Sequence, residues 1–342
     1  MIDELKKVEK KITGIGSLPF LDLKECIDFI KKYFKDIPFL PQLPKLNFKE
    51  DMNIQVVENM PGIRIENRKI LFEYNEKEIL NVYQKIEENE VDYFKISNEY
   101  GEGIYEFLKT DIESNFLKGQ LVGPLTFLST AKFKDGKPLI FEEVFEDIFV
   151  KIIGMKGIYL SRKIKGKSKI PIIFFDEPVM SSYGSAFFPV EKDRIVNILK
   201  NLVNFFRERD KSCLIGFHCC GNTDWSIFFN LDIDILSFDA FGFLENFLIY
   251  WEEIEKFIKK ERFIAWGIIP STDEIENVDF EAIKDKFNFI LKYFEKRGVE
   301  KKILLSHSIF TPSCGLGYTK EKNSYKNIDY LNNLIDLIQS IL

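Results

Sequence analysis

Cys213-Leu214-Ile215-Gly216-Phe217-His218-Cys219-Cys220 is an apolar run that ends in a histidine and two cysteines. A short run of this kind reads as a buried strand. Along a strand, residues i and i+2 point to the same side, so His218 and Cys220 face one point while Cys219 turns away into packing. An imidazole nitrogen and a thiolate sulfur converging there suit zinc. The chain has 2 histidines and 5 cysteines in all, so little else competes for that role.

Outward from this segment, short apolar, β-branched or aromatic runs alternate with longer stretches of helical period. The candidate strands are Ile12–Ser17, Tyr93–Ser97, Leu117–Val122, Ile170–Phe175, Cys213–Phe217, Ile233–Phe238, Phe263–Gly267 and Ile303–Ser306. Helical patterns between and after them include Leu23–Phe34, Phe141–Leu160, Lys192–Arg207, Phe243–Lys259, Phe280–Lys296 and Tyr325–Leu342. Eight strands, most followed by a helix, predict an α/β chain folded as a (β/α)8 TIM barrel. A doubly wound sheet is the alternative, but no Gly-rich phosphate loop supports it. No repeat, low-complexity linker or composition break divides the chain, so residues 1–342 are expected to form a single barrel domain. The stretch from 36 to 90, with Pro38, Pro41, Pro44 and Pro61, reads as an excursion over one barrel end.

Composition narrows the class of function. With 45% hydrophobic and 30% charged residues the chain reads as globular, and a net charge of −6 argues against nucleic acid or an anionic membrane as partner. Met1-Ile2-Asp3-Glu4-Leu5-Lys6-Lys7 carries no signal-peptide pattern, and no run has the length of a membrane span. The odd number of cysteines, irregularly spaced, is no disulfide framework. The expected location is cytoplasmic, with thiols reduced and free to ligate metal.

Chemistry in a barrel of this type sits at the C-terminal ends of the strands. Those ends carry Ser17, Asn98-Glu99, Gly123-Pro124, Asp176-Glu177-Pro178, His218 with Cys220, Asp239, Trp266-Gly267 and the loop to Cys314. Asp239 closes an apolar strand, where it is either a ligand or a helix N-cap. Cys314 lies in the turn-rich Thr311-Pro312-Ser313-Cys314-Gly315-Leu316-Gly317. His218, Cys220, Asp239 and Cys314 together make a zinc-competent set, against which stands the reading of four unrelated structural residues. Asp176 could hold a substrate ammonium or pair with an internal cation. Gly16 and Ser17, in Gly14-Ile15-Gly16-Ser17-Leu18-Pro19, form either a carboxylate-binding loop or an ordinary tight turn. Glu99 is an amine partner or a helix N-terminal acid.

Five segments, in this order, resemble the C-terminal catalytic barrel of cobalamin-independent methionine synthase. They are Gly14-Ile15-Gly16-Ser17, Asp176-Glu177-Pro178, His218-Cys219-Cys220, Asp232-Ile233-Asp234-Ile235-Leu236-Ser237-Phe238-Asp239 and Pro312-Ser313-Cys314-Gly315-Leu316. The His-x-Cys-Gly run and the later cysteine are also similar to methylcorrinoid:coenzyme M methyltransferases, which share the uroporphyrinogen decarboxylase-like barrel.

The resemblance implies a zinc-dependent methyltransferase that makes methionine from homocysteine. His218, Cys220 and Cys314 match the family's metal ligands, and Asp239 stands where the methionine synthases carry a ligating Glu. Asp176 matches the amino-acid-binding acid, Gly16 and Ser17 the loop that holds the substrate carboxylate, and Glu99, in a looser register, a second substrate-binding acid. Two departures bear on the donor. The chain lacks the N-terminal half of the long folate-using enzymes. It also lacks the proton-donating histidine after the seventh strand, where it has Trp266-Gly267-Ile268-Ile269-Pro270-Ser271. A folate amine leaves only if protonated, whereas cobalt(I) leaves without a proton. The expected donor is therefore methylcobalamin or another methylated corrinoid, free or carried by a corrinoid protein. Methylation of another thiol such as coenzyme M is one alternative, and a non-catalytic zinc- or corrinoid-binding protein is another.

Overall fold

A computed structural model describes residues 1–341. Its sheets are a hairpin of β1 (Ile63–Glu66) and β2 (Lys69–Phe72), and a six-stranded parallel sheet. The latter runs in sequential order through β3 (Phe116–Val122), β4 (Ile170–Asp176), β5 (Leu214–Cys219), β6 (Ile235–Phe238), β7 (Phe263–Ile269) and β8 (Ser308–Pro312). Helices precede, connect and follow these strands: α1 (Ile2–Lys6), α2 (Leu23–Tyr33), α3 (Glu76–Glu87), α4 (Glu102–Lys109), α5 (Pro124–Thr130), α6 (Glu146–Lys165) and α7 (Lys192–Arg209). Then come α8 (Ser226–Phe229), α9 (Ala240–Leu248), α10 (Trp251–Lys259), α11 (Phe280–Glu295), α12 (Lys301–Ser306) and α13 (Glu321–Ile341).

All six strands are buried along their whole length, which is why most of them read as near-continuous apolar runs. Alternation still sorts their side chains. Ile173 and Phe175 of β4 join the outer core, where Phe175 meets Phe206 of α7 at 6.0 Å between ring centroids. Ile170, Ile172 and Phe174 join an inner core with Phe116, Leu214, Ile235, Phe263 and Ile309. Leu5 of α1 belongs to that inner core and closes it at the N-terminal ends of the strands. Asp176 and His218 continue the inner-facing sets of β4 and β5 at the opposite end.

The structure corrects the expected eight strands in three places. Ile12–Ser17 forms no regular strand; it touches β8 through a parallel bridge between Ile12 and Phe310. Tyr93–Ser97 follows and overlaps a 3-10 turn, Val91–Phe94, and pairs with nothing in the sheet. The segment 38–42 stands next to β3 instead, through a bridge between Phe39 and Lys118, and meets 11–18 through Ser17 and Gln42. Pro38 and Pro41 lack the N–H groups a ladder needs, so this segment makes single bridges rather than a strand. The two segments thus link β8 back to β3, but regular strand pairing covers only the six-stranded part. Ile303–Ser306 is helical, within α12, and the strand begins two residues later at Ser308.

Beyond residue 42 the chain builds the β1–β2 hairpin and α3. Asn67 and Arg68, at φ 49° and 63°, form its two-residue turn, a conformation that favours Asn or Gly. Among the described residues no helix is long and apolar enough to cross a membrane.

Candidate metal centre

One register row crosses the sheet through Val122, Asp176, His218 and Ser237, so the ends of four strands lie side by side. His218 is buried, and its Nδ1 lies 2.9 Å from Ser237 Oγ. Its Nε2 is buried without a partner. With Nδ1–H donating to the serine, the Nε2 lone pair is free to bind a metal. Cys220 follows the end of β5, and Cys314 lies two residues beyond β8. One ligand atom from each of His218, Cys220 and Cys314 lies within 4.8 Å of the other two.

The hydrogen bond from Cys314 and the nearby His218 hold Cys220 down at about 4, while the same hydrogen bond and burial push Cys314 up. A soft pair of sulfurs beside an unpartnered imidazole nitrogen fits zinc, and three protein ligands leave room for a fourth.

Asp239 stands outside this trio. It follows β6, and its Oδ1 accepts the Gly242 N–H at 2.7 Å as the N-cap of α9. Burial pushes its carboxyl up to about 6. Asp176 is the last residue of β4, next to His218. Burial raises it to about 6 against the pull of His218 and Lys118, and its Oδ1 has no partner. Lys118, fully buried inside the sheet, donates to Ile15 O at 2.6 Å and Gln120 Oε1 at 3.1 Å.

A cavity of about 200 Å³ is lined by His218, Cys220, Cys314, Asp176 and Ser17. Ser17 Oγ accepts the Gly317 N–H at 3.2 Å, and Leu316 N–H donates to Ser17 O at 2.9 Å, so the first loop and the Cys314 loop are joined. Gly16 is needed there: a Cβ would come 2.5 Å from Gln120 Cδ. Glu99 is not brought to this cavity; it is exposed and paired with Lys49.

Gln42, Glu50, Asp51, Asn53 and Tyr318 also line the cavity, and sequence reasoning found none of them. Glu50 is fully buried and accepts from Leu43 N at 2.7 Å and Gly103 N at 3.0 Å. Asn47 capping a 3-10 turn at Phe48–Glu50 is the one local signal in that stretch, and it says nothing of a strand end. His307 lies at the opposite end of the sheet, just before β8, engaged by Ile303 O at 2.9 Å and Glu261 at 3.3 Å. Trp266 is buried, its Nε1 donating to Ser308 Oγ at 2.9 Å.

No family model and no curated protein matches the chain. Solved structures do. A B12-independent methionine synthase from Shewanella sp. W3-18-1, in complex with selenomethionine, superposes with a TM-score of 0.58 at 13% identity, covering 97% of this chain and 98% of that one. The fold is methionine synthase-like. A methyltransferase from Methanosarcina mazei matches with a TM-score of 0.56 at 13% identity, over 99% of this chain and 97% of that one. A candidate vitamin-B12-independent methionine synthase from Listeria monocytogenes matches with a TM-score of 0.53 at 14% identity, over 94% and 86%. At such identities the likeness is one of fold, and the methionine synthase-like architecture spans nearly the whole chain.

Proposed function

We propose that this chain is a zinc-dependent thiol methyltransferase that carries a methyl group from a methylated corrinoid to homocysteine. The observation that carries the reading is the convergence of His218, Cys220 and Cys314 beside an unpartnered imidazole nitrogen, at the strand ends of a methionine synthase-like fold. The selenomethionine complex of the Shewanella neighbour supports an amino-acid thiol as acceptor.

Bound at His218 Nε2 and the two sulfurs, zinc would act as a Lewis acid that keeps an incoming thiol ionised at neutral pH. The chain's residues do the rest. Ser237 holds the imidazole in one tautomer. Asp176, with an unpartnered carboxylate oxygen in the cavity, takes the substrate ammonium. The backbone at Gly16 and Ser17 takes its carboxylate, and Asp239 keeps its N-cap beside the ligand set. Glu99, turned to solvent, has no part in this scheme. The sulfur bonds to the methyl carbon as the carbon's bond to the donor breaks, the electron pair leaving with the donor. The segment after β7 brings no histidine to the cavity to protonate a leaving amine, which favours the corrinoid over folate. A sulfonate such as that of coenzyme M would meet Asp176, Glu50 and Asp51 in the cavity, which favours an acceptor bearing an ammonium.

Reduced, purified protein should contain zinc. Cys220→Ser and Cys314→Ser should lose metal and methionine formation together while keeping a cooperative unfolding transition. Zinc-edge absorption should gain a sulfur neighbour on addition of homocysteine. Full activity in a metal-free variant would overturn the scheme, and turnover with methyltetrahydrofolate matching that with methylcobalamin would overturn the donor.

A further inference from the structure

A second, larger cavity of about 790 Å³ adjoins the thiol site, and Pro44, Asp51, Asn53 and Tyr318 line both. A single ligand can therefore occupy the large cavity and present its reacting end at the small one. The volume falls in the range of small-molecule and cofactor pockets.

The far wall of this cavity is basic. It carries Arg68, Lys69, Lys132 and Lys134, while the one acid on its lining is Asp51, which accepts from Tyr318 Oη at 3.2 Å. Lys134 is paired with Glu73 at 3.2 Å; among the described residues Arg68, Lys69 and Lys132 have no ion-pair partner. On a chain of net charge −6 this is a local reversal of sign. Cations gathered on a concave wall concentrate an anion there in a way that scattered convex lysines do not.

The wall is also fixed in place. Lys132 N–H donates to Ile70 O at 3.0 Å and Phe72 N–H to Lys132 O at 2.7 Å, so the Lys132 segment extends the β1–β2 hairpin. Arg68 occupies the hairpin turn with φ at 63°, where Asn or Gly would be easier, and its guanidinium lies over the Phe48 ring at 5.3 Å. Between this wall and the thiol site, Asn53 presents a buried Oδ1 without a partner. A buried acceptor calls for a donor from a ligand.

We infer that this cavity binds the anionic portion of the methyl donor, with Arg68, Lys69 and Lys132 taking its phosphate or carboxylate oxygens and Asn53 a neighbouring N–H or O–H. The assignment of the ligand as donor rests on the proposed methyl transfer; the anion site itself does not. Arg68 supplies a fork suited to two oxygens, and the two lysines supply point charges.

Two measurements test it. Tripolyphosphate, titrated calorimetrically into the zinc-loaded protein at low salt, should bind the wild type. It should bind at least about tenfold more weakly to the Arg68→Ala/Lys69→Ala/Lys132→Ala variant, whose folding is checked by thermal melt. In steady state, the same variant should raise KM for methylcobalamin, which has a phosphodiester, by about tenfold. KM for homocysteine and for methylcobinamide, which lacks the phosphodiester, should stay unchanged. If the effect appears instead for the triglutamate but not the monoglutamate of methyltetrahydrofolate, the anion is a carboxylate of the donor. Equal tripolyphosphate binding by variant and wild type, or none by either, overturns the anion site. Cation-dependent binding of tripolyphosphate with no methyl transfer from any donor overturns the function reading and leaves the anion site standing.

Discussion

At His218 the two ring nitrogens are placed differently: Nδ1 meets Ser237 Oγ at 2.9 Å, and Nε2 is buried without a partner. Removing the serine hydroxyl frees the imidazole to rotate or change tautomer. Ser237→Ala should therefore lower zinc affinity by about 10- to 100-fold with little loss of stability, measured by competition with a chelator. An unchanged affinity would mean that packing alone orients the ring. Strand parity made His218 and Cys220 legible from sequence, and the Gly/Pro context singled out Cys314. Asp239 was ambiguous for a physical reason. The same carboxylate that could reach a metal is also the natural acceptor for the first N–H groups of α9, and its Oδ1 takes the Gly242 N–H. Glu177, next to Asp176, shows a similar division of labour. Its buried carboxylate accepts from Leu125 N, Thr126 N and Thr126 Oγ1 at 2.7–2.9 Å, holding the start of α5 while Asp176 faces the cavity. Glu50 could not have been found, because a buried acid that caps loop N–H groups leaves no periodic trace.

Among the elements, α1 is short, yet its Leu5 fills the floor of the inner core against residues such as Phe116 and Ile170. Leu5→Ala should cost about 2–5 kcal/mol in chemical denaturation, far more than a five-residue helix would suggest. A cost near zero would show that the floor does not depend on α1. Strands β3 to β7 announced themselves as apolar runs because both of their faces are buried. β8 hid behind Ser308, Thr311 and Pro312, while the more apolar Ile303-Leu304-Leu305 just upstream went into α12. Leu is a good helix former, and short apolar runs are the ones that periodicity cannot assign. The segment 38–42 was hidden by its prolines, which are also why it pairs only through isolated bridges. The α/β class and the curled parallel sheet were thus readable from the buried strands, and the irregular segments 11–18 and 38–42 beside it were not.

On the scale of the whole molecule, Lys156 of α6 joins the segment after residue 42 to the helical layer. It is fully buried, and its Nζ donates to Glu58 O at 2.8 Å and Lys95 O at 3.3 Å. Burial pushes its pKa down to about 7 from 10.5. Between those values the unfolded chain holds the extra proton, so this group's contribution to stability rises as pH climbs through the window, by up to about 1.4 kcal/mol per unit. Urea titrations of wild type and Lys156→Met at pH 7 and pH 9 should show the wild type gaining on the variant at the higher pH. A difference that does not change with pH would show that Lys156 stays charged throughout. The parallel sheet and the segments that flank it are also unevenly sewn. Parting β3 from β4 breaks a ladder seven residue pairs long, whereas 11–18 and 38–42 meet at one bridged pair, Ser17 with Gln42. Single bridges also hold these segments to β8 and β3, so the molecule's cheapest way to breathe is to loosen this irregular stretch, with the loop proposed to grip the substrate carboxylate on it, while the six-stranded part stays shut.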